Sequence, residues 1–314
     1  MKSLVVQRMK TCWAAAVLAL LFGVSAASAQ EHRGFASAEE AVTSMVGVLE
    51  REDRTELGPI LGPGSTGIVD SGDAVADAEA LADFLERFKA KHALVADGEG
   101  QMILQVGEND WPLPIPLVER EGKWYFDGAA GAQEIVYRRV GRNELGAIAV
   151  CRGFIDAQTE YASQGHDGNA PGVYAAKLLS DPGQQNGLYW PTAEGEPQSP
   201  AGPAVADAAE EGYRAIKGTR TPYHGYYYRM LFAQGANAGG GAMEYFVEGL
   251  LTQGIALLAW PAEYGVSGVK SFVINQDGVV YEKDLGEETA TVAQRIQVFD
   301  PDSSWSIVEP DDAS

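Results

Sequence analysis

Residues 143–163, with the sequence NELGAIAVCRGFIDAQTEYAS, carry the strongest helical pattern in the chain. At helical spacing they form two adjacent apolar rows, and their polar side chains lie on the opposite side. The first row is Leu145, Ile148, Cys151 and Ile155, and the second is Ala147, Val150, Phe154, Ala157 and Tyr161. The pattern predicts an amphipathic helix that packs on a sheet and does not span a membrane, with Asn143 as its N-cap and Gly165 as its stop.

The residues before this helix have the pattern of a small α+β domain. Helices are predicted at residues 37–50, 55–61, 74–90 and 129–140, and strands at residues 101–106, 113–119 and 123–127. The first helix opens with Ser37 and Glu40, which have the spacing of a capping box. Three helices followed by a hairpin, whose returning strand is GKWYFD, resemble the helix-on-curved-sheet domains of the NTF2-like (cystatin-related) class. That class includes both enzymes and binding modules, so the resemblance implies a fold and no particular activity.

The residues after the helix have the pattern of an antiparallel meander. Strands are predicted at residues 226–232, 244–248, 255–260, 270–274 and 279–283, short helices at 174–179 and 204–213, and an irregular loop at 181–203. The long helix is expected to cover one face of this sheet. With GYYYRMLF and ALLAWPAEYGVSGVKSFVINQDGVVY, this half resembles the globular heads of type IV pilin-like proteins. A whole domain precedes the helix here, so polymerisation as a pilus is not implied.

The chain is therefore expected to be an α+β protein in three parts. Residues 1–29 are predicted to be a signal peptide, residues 30–140 an N-terminal α+β domain, and residues 141–314 a C-terminal helix-plus-sheet domain. The signal has a basic start, an apolar run at residues 12–24 and a small-residue site that predicts cleavage after Ala29. These features predict a periplasmic or secreted protein, with an uncleaved N-terminal anchor as the alternative.

The charge of the chain limits its partners. The formal net charge is −21, and it becomes −24 without residues 1–29, which hold three basic and no acidic residues. Such a surface disfavours nucleic acid and anionic lipid as partners. Solubility is the favoured interpretation of the charge, ahead of an acidic docking surface.

Cysteine and histidine give little indication of catalysis. Cleavage would leave Cys151 as the only cysteine, and its place on the apolar face predicts a buried thiol. No motif places a histidine and an orienting acid beside it, so a nucleophilic role is disfavoured. His166 with Asp167 could form a metal or proton-transfer site, but a polar loop after the helix is the favoured interpretation. No metal, cofactor or nucleotide motif is predicted.

An aromatic cluster is the main candidate for ligand binding. Its members are Tyr189, Trp190, Tyr223, His224, Tyr226, Tyr227 and Tyr228. Together they could form a platform for stacking on sugars or a peptide, but structural packing is the favoured interpretation, since aromatic residues favour strands for packing reasons alone. Strand alternation puts Tyr226 and Tyr228 on one face and Tyr227 on the other, so part of the run is expected in the core. Glu263 and Glu282 are a further option, as a carboxylate pair for glycoside hydrolysis.

Several motifs occur in an order that identifies a family. They are FASAEEAV, LGPGS, KHALVADGEG, WPLPIPLV, VGRNEL, GLYWPTAEGEPQSP, PYHGYYYR and WPAEYGVSGVKSFVINQDGVVYEKDLG. With them the chain closely resembles the bacterial family called domain of unknown function 2950, which implies an envelope or secreted location and no known activity.

The function predicted from these observations is a non-catalytic binding or assembly module of the cell envelope. Its expected partner is an envelope protein or a glycan, with no nucleic acid and no membrane span after signal cleavage. Two alternatives remain open: an envelope hydrolase acting on glycan or peptide, and an accessory component of a pilus-like or secretion assembly.

Overall fold

The computed structural model describes residues 32–51, 54–69, 74–193, 195–203 and 222–309. The predicted signal peptide and the predicted helix at residues 204–213 lie outside these ranges. The described chain combines helices with antiparallel sheets, so the α+β class is confirmed. No helix within it is both long enough and apolar enough to cross a membrane.

The N-terminal elements are four helices and a sheet of five short strands. The helices are α1 (Ala38–Glu50), α2 (Leu57–Leu61) after a 3-10 turn (Arg54–Glu56), α3 (Thr66–Val69) and α4 (Ala74–Ala90). The strands are β1 (His92–Ala96), β2 (Gln101–Val106), β3 (Trp111–Pro112), β4 (Leu117–Arg120) and β5 (Lys123–Phe126). Their order is β1-β2-β4-β5, with β3 beside β2, and every pairing is antiparallel.

Local patterns account for most of these elements. Ser37 caps α1 by accepting a hydrogen bond from the backbone N–H of Glu40, and the Glu40 carboxylate accepts one from Ala36, 2.9 Å away. The apolar face of α1 packs with the sheet in a buried cluster that includes Met45, Leu104 and Phe126. Strand β1 was not predicted, because four of its five residues are exposed and its sequence, HALVA, lacks alternation.

The long helix α5 (Gly128–Gln164) joins the two halves of the chain without a break. Its N-cap is Asp127, which accepts a hydrogen bond from Ala130, and its C-cap is Gly165, as predicted. The prediction of Asn143 as N-cap is wrong, because the helix predicted at residues 129–140 continues through it. Asn143 instead donates its side-chain amide to the carbonyl of Ser267 at 2.9 Å.

One residue of the predicted apolar face of α5 is exposed to solvent. Leu145, placed in the first apolar row, is 58% exposed. The buried residues from this part of the helix onward are Ala147, Cys151, Phe154, Ile155, Ala157, Gln158 and Tyr161. The next residue, Gly146, lies against His224, so at this level the helix contacts the second half of the chain through Gly146 and not through Leu145. The prediction of a helix laid on a sheet is confirmed, because α5 contacts the central strands described next.

The C-terminal sheet lies between two helices. Its strands are β6 (Tyr226–Leu231), β11 (Ala256–Pro261), β12 (Lys270–Asn275), β13 (Val280–Asp284) and β14 (Ser306–Ile307). Their order is β14-β13-β12-β11-β6, all antiparallel, with α5 on one face. On the other face is α6 (Thr289–Arg295), where Arg229 of β6 donates to the carbonyls of Ala293 and Ile296. Asn275 to Gly278 form the predicted turn between β12 and β13.

Two predicted elements of this half differ from the structure. Residues 244–248, predicted as a strand of the meander, belong to two small antiparallel pairs. These are β7 (Ala233–Gln234) with β8 (Met243–Glu244), and β9 (Phe246–Val247) with β10 (Leu250–Leu251). Residues 174–179, predicted as helical, are irregular, because their backbone groups bond to Leu251 and to residues 188–189.

The described residues contain two separate hydrophobic clusters. One lies between α1, α2 and the N-terminal sheet, and the other between α5 and the C-terminal sheet. The start of α5 packs on the first half, where Gly131 lies against Ile115, and the rest packs on the second. Helix α5 runs through the predicted domain boundary at residues 140–141, and that boundary stays a prediction.

Candidate ligand-binding site

The candidate site lies where α5 ends and the chain folds back along it. Gly165 has a φ of +74°, and Asp167 a φ of +51°, so the helix stops and the backbone reverses. A Cβ atom at Gly165 would lie 2.6 Å from the carbonyl oxygen of Asn169, so only glycine fits this turn. The reversal is closed by a hydrogen bond of 2.7 Å from the N–H of Gly172 to the carbonyl of Ala162.

Three aromatic rings meet at this turn. The imidazole of His166 stacks on Tyr161, with ring centroids 4.3 Å apart and planes inclined by 29°. Its centroid lies 5.2 Å from that of Trp190, which also meets the edge of Tyr161 at 6.5 Å. The His166 ring therefore contacts both a tyrosine of α5 and a tryptophan that follows it by 24 residues, and these two rings also contact each other.

Gln185 joins the turn to the loop that carries Trp190. Its backbone N–H donates to Oδ1 of Asp167 at 3.1 Å, and its carbonyl accepts from the hydroxyl of Tyr161 at 2.8 Å. Its side-chain Oε1 lies 3.3 Å from Nδ1 of His166. One residue thereby fixes the positions of three members of the cluster.

The exposed groups of the cluster differ in kind from the buried ones. Asp167 and Gln185 are exposed, and Trp190 is partly exposed, so an indole ring, a carboxylate and an amide face solvent. Tyr161 is only 4% exposed and lies beneath them. Burial, and secondarily the charge of Asp167, raises the pKa of Tyr161, so its hydroxyl keeps its hydrogen and continues to donate to Gln185. Nε2 of His166 is buried, with no hydrogen-bond partner among the described residues.

The loop at residues 181–203 starts from a segment that is bonded to itself and to α5. The backbone of Tyr189 donates to Leu178 and accepts from Ser180, in a short parallel bridge. The side chain of Gln158 bonds to both backbone groups of Ala175. The segment that leads to Trp190 is therefore bonded to α5 at Ala175 and to its own earlier residues at Tyr189, which restricts the movement of Trp190.

The predicted aromatic cluster divides into two groups in the structure. Trp190, with Tyr189 next to it in the chain, contacts Tyr161 near the C-terminal end of α5, whereas His224 lies against Gly146. Positions 146 and 161 of an α-helix are about 22 Å apart along its axis. The structure therefore does not assemble the seven residues into one platform.

The second group is mostly engaged in packing. Tyr226 is fully buried, and its hydroxyl donates to the carbonyl of Lys270 at 2.8 Å, which confirms that part of the run belongs to the core. Tyr228 is on the same face and donates to the carbonyl of Tyr223 at 3.3 Å. Tyr227 is on the opposite face, where its ring lies 5.9 Å from that of Trp260.

The other residues considered for chemistry lie elsewhere. Glu282 of β13 forms an ion pair of 3.6 Å with Lys270, and Glu263 is in the loop after β11. Cys151 is buried as predicted, and burial raises the pKa of its thiol to about 12, so it is not a thiolate at neutral pH. Within the described ranges, no group of three or more His, Cys, Asp or Glu residues is placed to hold a metal ion.

Sequence reasoning missed most of this cluster. The sequence pattern places Tyr161 on the apolar face of the helix, gives no indication of a role for Gln185, and favours a polar loop for His166 with Asp167. The available signal was the sequence GHDG directly after a predicted helix stop, a turn that requires positive φ. Which aromatic ring would meet His166 depends on the return path of the loop, which has no local pattern.

Comparison with known proteins gives a family and no closer relative. A family model described as "Protein of unknown function (DUF2950)" matches residues 32–308. No curated protein and no solved structure matches the chain. The resemblances to pilin-like heads and to NTF2-like domains therefore stay predictions.

Proposed function

This chain belongs to the DUF2950 family of proteins of unknown function, and we propose that it is a non-catalytic module that binds a glycan at the cluster around Trp190. The observation that carries the proposal is the support of a partly exposed Trp190 by His166 and Tyr161, with Asp167 and Gln185 exposed beside it. Since the family description assigns no activity, the chemistry of this site is the basis of the proposal.

The exposed groups match the two kinds of surface that a sugar ring presents. The C–H face of a pyranose is apolar and packs on an indole ring, while its hydroxyl groups need donors and acceptors at its edge. The exposed Asp167 carboxylate and Gln185 amide supply them here, and the hydrogen bond from the backbone N–H of Gln185 to Asp167 holds the two residues together.

The supporting residues favour binding without reorganisation. The contacts of His166 with Tyr161 and Gln185 place Trp190 against a fixed surface before a ligand arrives. A preorganised site loses less conformational entropy when it binds. The net charge of −21 favours neutral or amino sugars over acidic ones.

The cluster favours binding over hydrolysis because it contains a single carboxylate. Glycoside hydrolysis uses two carboxyl groups that flank the scissile bond. Asp167 is the only acid among the five residues of the cluster, and its Oδ1 already accepts a hydrogen bond from Gln185.

A direct binding measurement tests this proposal. The chain from residue 30 onward would be screened on neutral, amino and acidic glycans and on insoluble cell-wall glycan, and hits would be measured by calorimetry. Trp190→Ala is expected to weaken binding at least about tenfold, as for a stacked aromatic anchor. Trp305→Ala is the matched control, because Trp305 is also partly exposed but packs beside Lys283 on another element. Equal loss in both variants, or no glycan bound by the wild type, would overturn the proposal.

The location of the protein is a separate part of the proposal. We infer export through the predicted signal peptide, with cleavage after Ala29, since that segment has the charge pattern and small-residue site of secretory signals. Mass spectrometry of the protein recovered from a bacterial envelope is expected to find Gln30 at the N-terminus. A chain that keeps residues 1–29 in the membrane fraction would favour the anchor instead.

A further inference from the structure

We propose that strand β1 pairs with β1 of a second copy of this chain, so that two N-terminal sheets join edge to edge in a symmetric dimer. This surface is independent of the glycan site. The five residues of β1 are exposed except Leu94, which is partly exposed, and Val95 is 41% exposed. Within the described chain, β1 pairs with β2 alone.

The two edges of this sheet are treated differently. At the β5 edge, Phe35 and Trp124 exchange backbone hydrogen bonds of 2.9 and 2.8 Å, so the segment before α1 covers that edge. At the β1 edge, no described segment takes this place. The strand itself contains no proline and no Lys, Arg, Asp or Glu, the residues with which proteins commonly block a free edge.

The backbone of β1 directs its free hydrogen-bonding groups outward at three residues. The N–H of Asp97 donates to Gln101 at 3.0 Å, and the carbonyl of Lys91 accepts from Gly107 at 2.9 Å, so odd-numbered residues face β2. Because backbone groups alternate along a strand, those of His92, Leu94 and Ala96 face the open edge.

These three residues define one register for a symmetric antiparallel pair. With Leu94 opposite Leu94 of the second copy, His92 lies opposite Ala96 of the copy, and the three pairs exchange about six backbone hydrogen bonds. Only this centre places all five strand residues opposite strand residues. Centring on Val95 would instead oppose Lys91 to Glu99, which lies in the turn beyond the end of the strand.

Charge complementarity supports the same register. With Leu94 at the centre, Lys91 of each copy lies opposite Asp97 of the other, which gives two ion pairs across the dimer. Lys91 is 43% exposed in its side chain even though it is 2.7 Å from Asp110 of its own chain. Asp97 is exposed and accepts from Gln101 at 3.1 Å, which leaves its second oxygen for a partner.

The size of the edge sets the expected affinity. A pairing of two five-residue strands buries much less than the roughly 1,200 to 2,000 Å² of stable protein interfaces. The dimer is therefore expected to be weak, with a dissociation constant on the order of 100 μM.

A charge-swap experiment tests the proposal. Sedimentation velocity on the chain from residue 30 onward, over about 10 μM to 1 mM, is expected to show a reversible dimer. Asp97→Lys alone and Lys91→Glu alone each place like charges opposite each other and should weaken the dimer about tenfold, whereas an equimolar mixture of the two should restore it. A change of fold in one variant cannot produce such restoration.

A backbone variant provides the second readout. Ala96→Pro removes an outward N–H while leaving the pairing with β2 intact, and it should also weaken the dimer. A wild type that stays monomeric at every concentration would overturn the proposal. So would a dimer that both Asp97→Lys and Ala96→Pro leave unchanged, or a mixture of charge variants that does not associate.

Discussion

The side chain of Gln158 pairs with both backbone groups of Ala175: Nε2 donates to the carbonyl at 2.8 Å, and Oε1 accepts from the N–H at 2.9 Å. Gln158 is fully buried, and Ala175 is 1% exposed. A side chain of α5 thereby supplies the hydrogen bonds that a neighbouring strand would give to an irregular segment. The segment so held is the one that leads from the turn at His166 toward Trp190.

Loss of this amide should destabilise the protein. Gln158→Ala leaves a buried donor and a buried acceptor without partners, and the free energy of unfolding is expected to fall by about 3 kcal/mol. Gln164→Ala, at an exposed position on the same helix, should change it by less than about 0.5 kcal/mol. Urea denaturation measures both. A loss below about 1 kcal/mol for Gln158→Ala would show that other contacts hold the segment.

A second prediction concerns the anchoring of the loop between β11 and β12. Oε1 of Glu144 accepts from the N–H groups of Val269 and Lys270, both at 2.9 Å. Glu144→Ala should reduce the free energy of unfolding by about 2 kcal/mol, and Glu144→Gln by less, since its amide oxygen can still accept. Hydrogen exchange should become faster at these two amides in Glu144→Ala. Unchanged exchange there would contradict the anchoring role.

Two glycines of the same helix region should respond in opposite ways to alanine. Gly165→Ala is expected to cost about 2 kcal/mol, because φ is +74° and the new Cβ would lie 2.6 Å from a carbonyl oxygen. Gly153→Ala should stabilise by about 0.5 to 1 kcal/mol, since Gly153 is inside the helix with open space around it. Thermal denaturation of the pair gives the test. Equal effects would show that the turn at Gly165 adapts.

The buried thiol of Cys151 predicts a pH dependence of stability. Burial raises its pKa from 9.0 to about 12, so folding favours the protonated thiol. This contribution is fully present below pH 9 and is lost as the pH rises from about 9 toward 12, with a slope of about 1.4 kcal/mol per pH unit. Cys151→Ala has no thiol to titrate. Its free energy of unfolding should be about 1–2 kcal/mol below that of the wild type at pH 7, and the difference should become small near pH 10.

The free energy of unfolding is measured by urea denaturation of the wild type and of Cys151→Ala at intervals between pH 7 and pH 10.5. The difference between the two proteins at each pH isolates the effect of the thiol from that of the tyrosines, which also titrate in this range. A difference in stability that does not vary with pH would mean that the thiol reaches solvent in the folded state.

The sequence predicted the elements whose signals are local. The capping box at Ser37 and Glu40, the helix at residues 74–90 and the turn from Asn275 to Gly278 each depend on residues within a few positions of one another. Helical and strand periodicities, and the preferences of cap and turn residues, act over that distance. The burial of Cys151 was predicted for the same reason, from its place on the apolar face.

The sequence did not predict how far α5 extends toward its N-terminus, or that Leu145 is exposed and does not face the sheet. Asparagine is a common N-cap residue, but helical residues before Asn143 already accept the backbone N–H hydrogen bonds that a cap would accept. The side-chain amide of Asn143 therefore donates to the carbonyl of Ser267, in the loop between β11 and β12. Strand β1 was missed because its edge is exposed, and exposure removes the alternation by which strands are recognised.

From the sequence alone, the α+β class, the family resemblance and the long helix with its stop at Gly165 could be determined. Only the tertiary structure brought His166, Tyr161 and Trp190 into mutual contact and separated them from His224. Those contacts join residues far apart in the chain, and their geometry depends on the return path fixed by Gln158 and Gln185. The periodicity of a sequence predicts which face of a helix or strand is buried. Tertiary packing determines which side chains from distant parts of the chain contact that face.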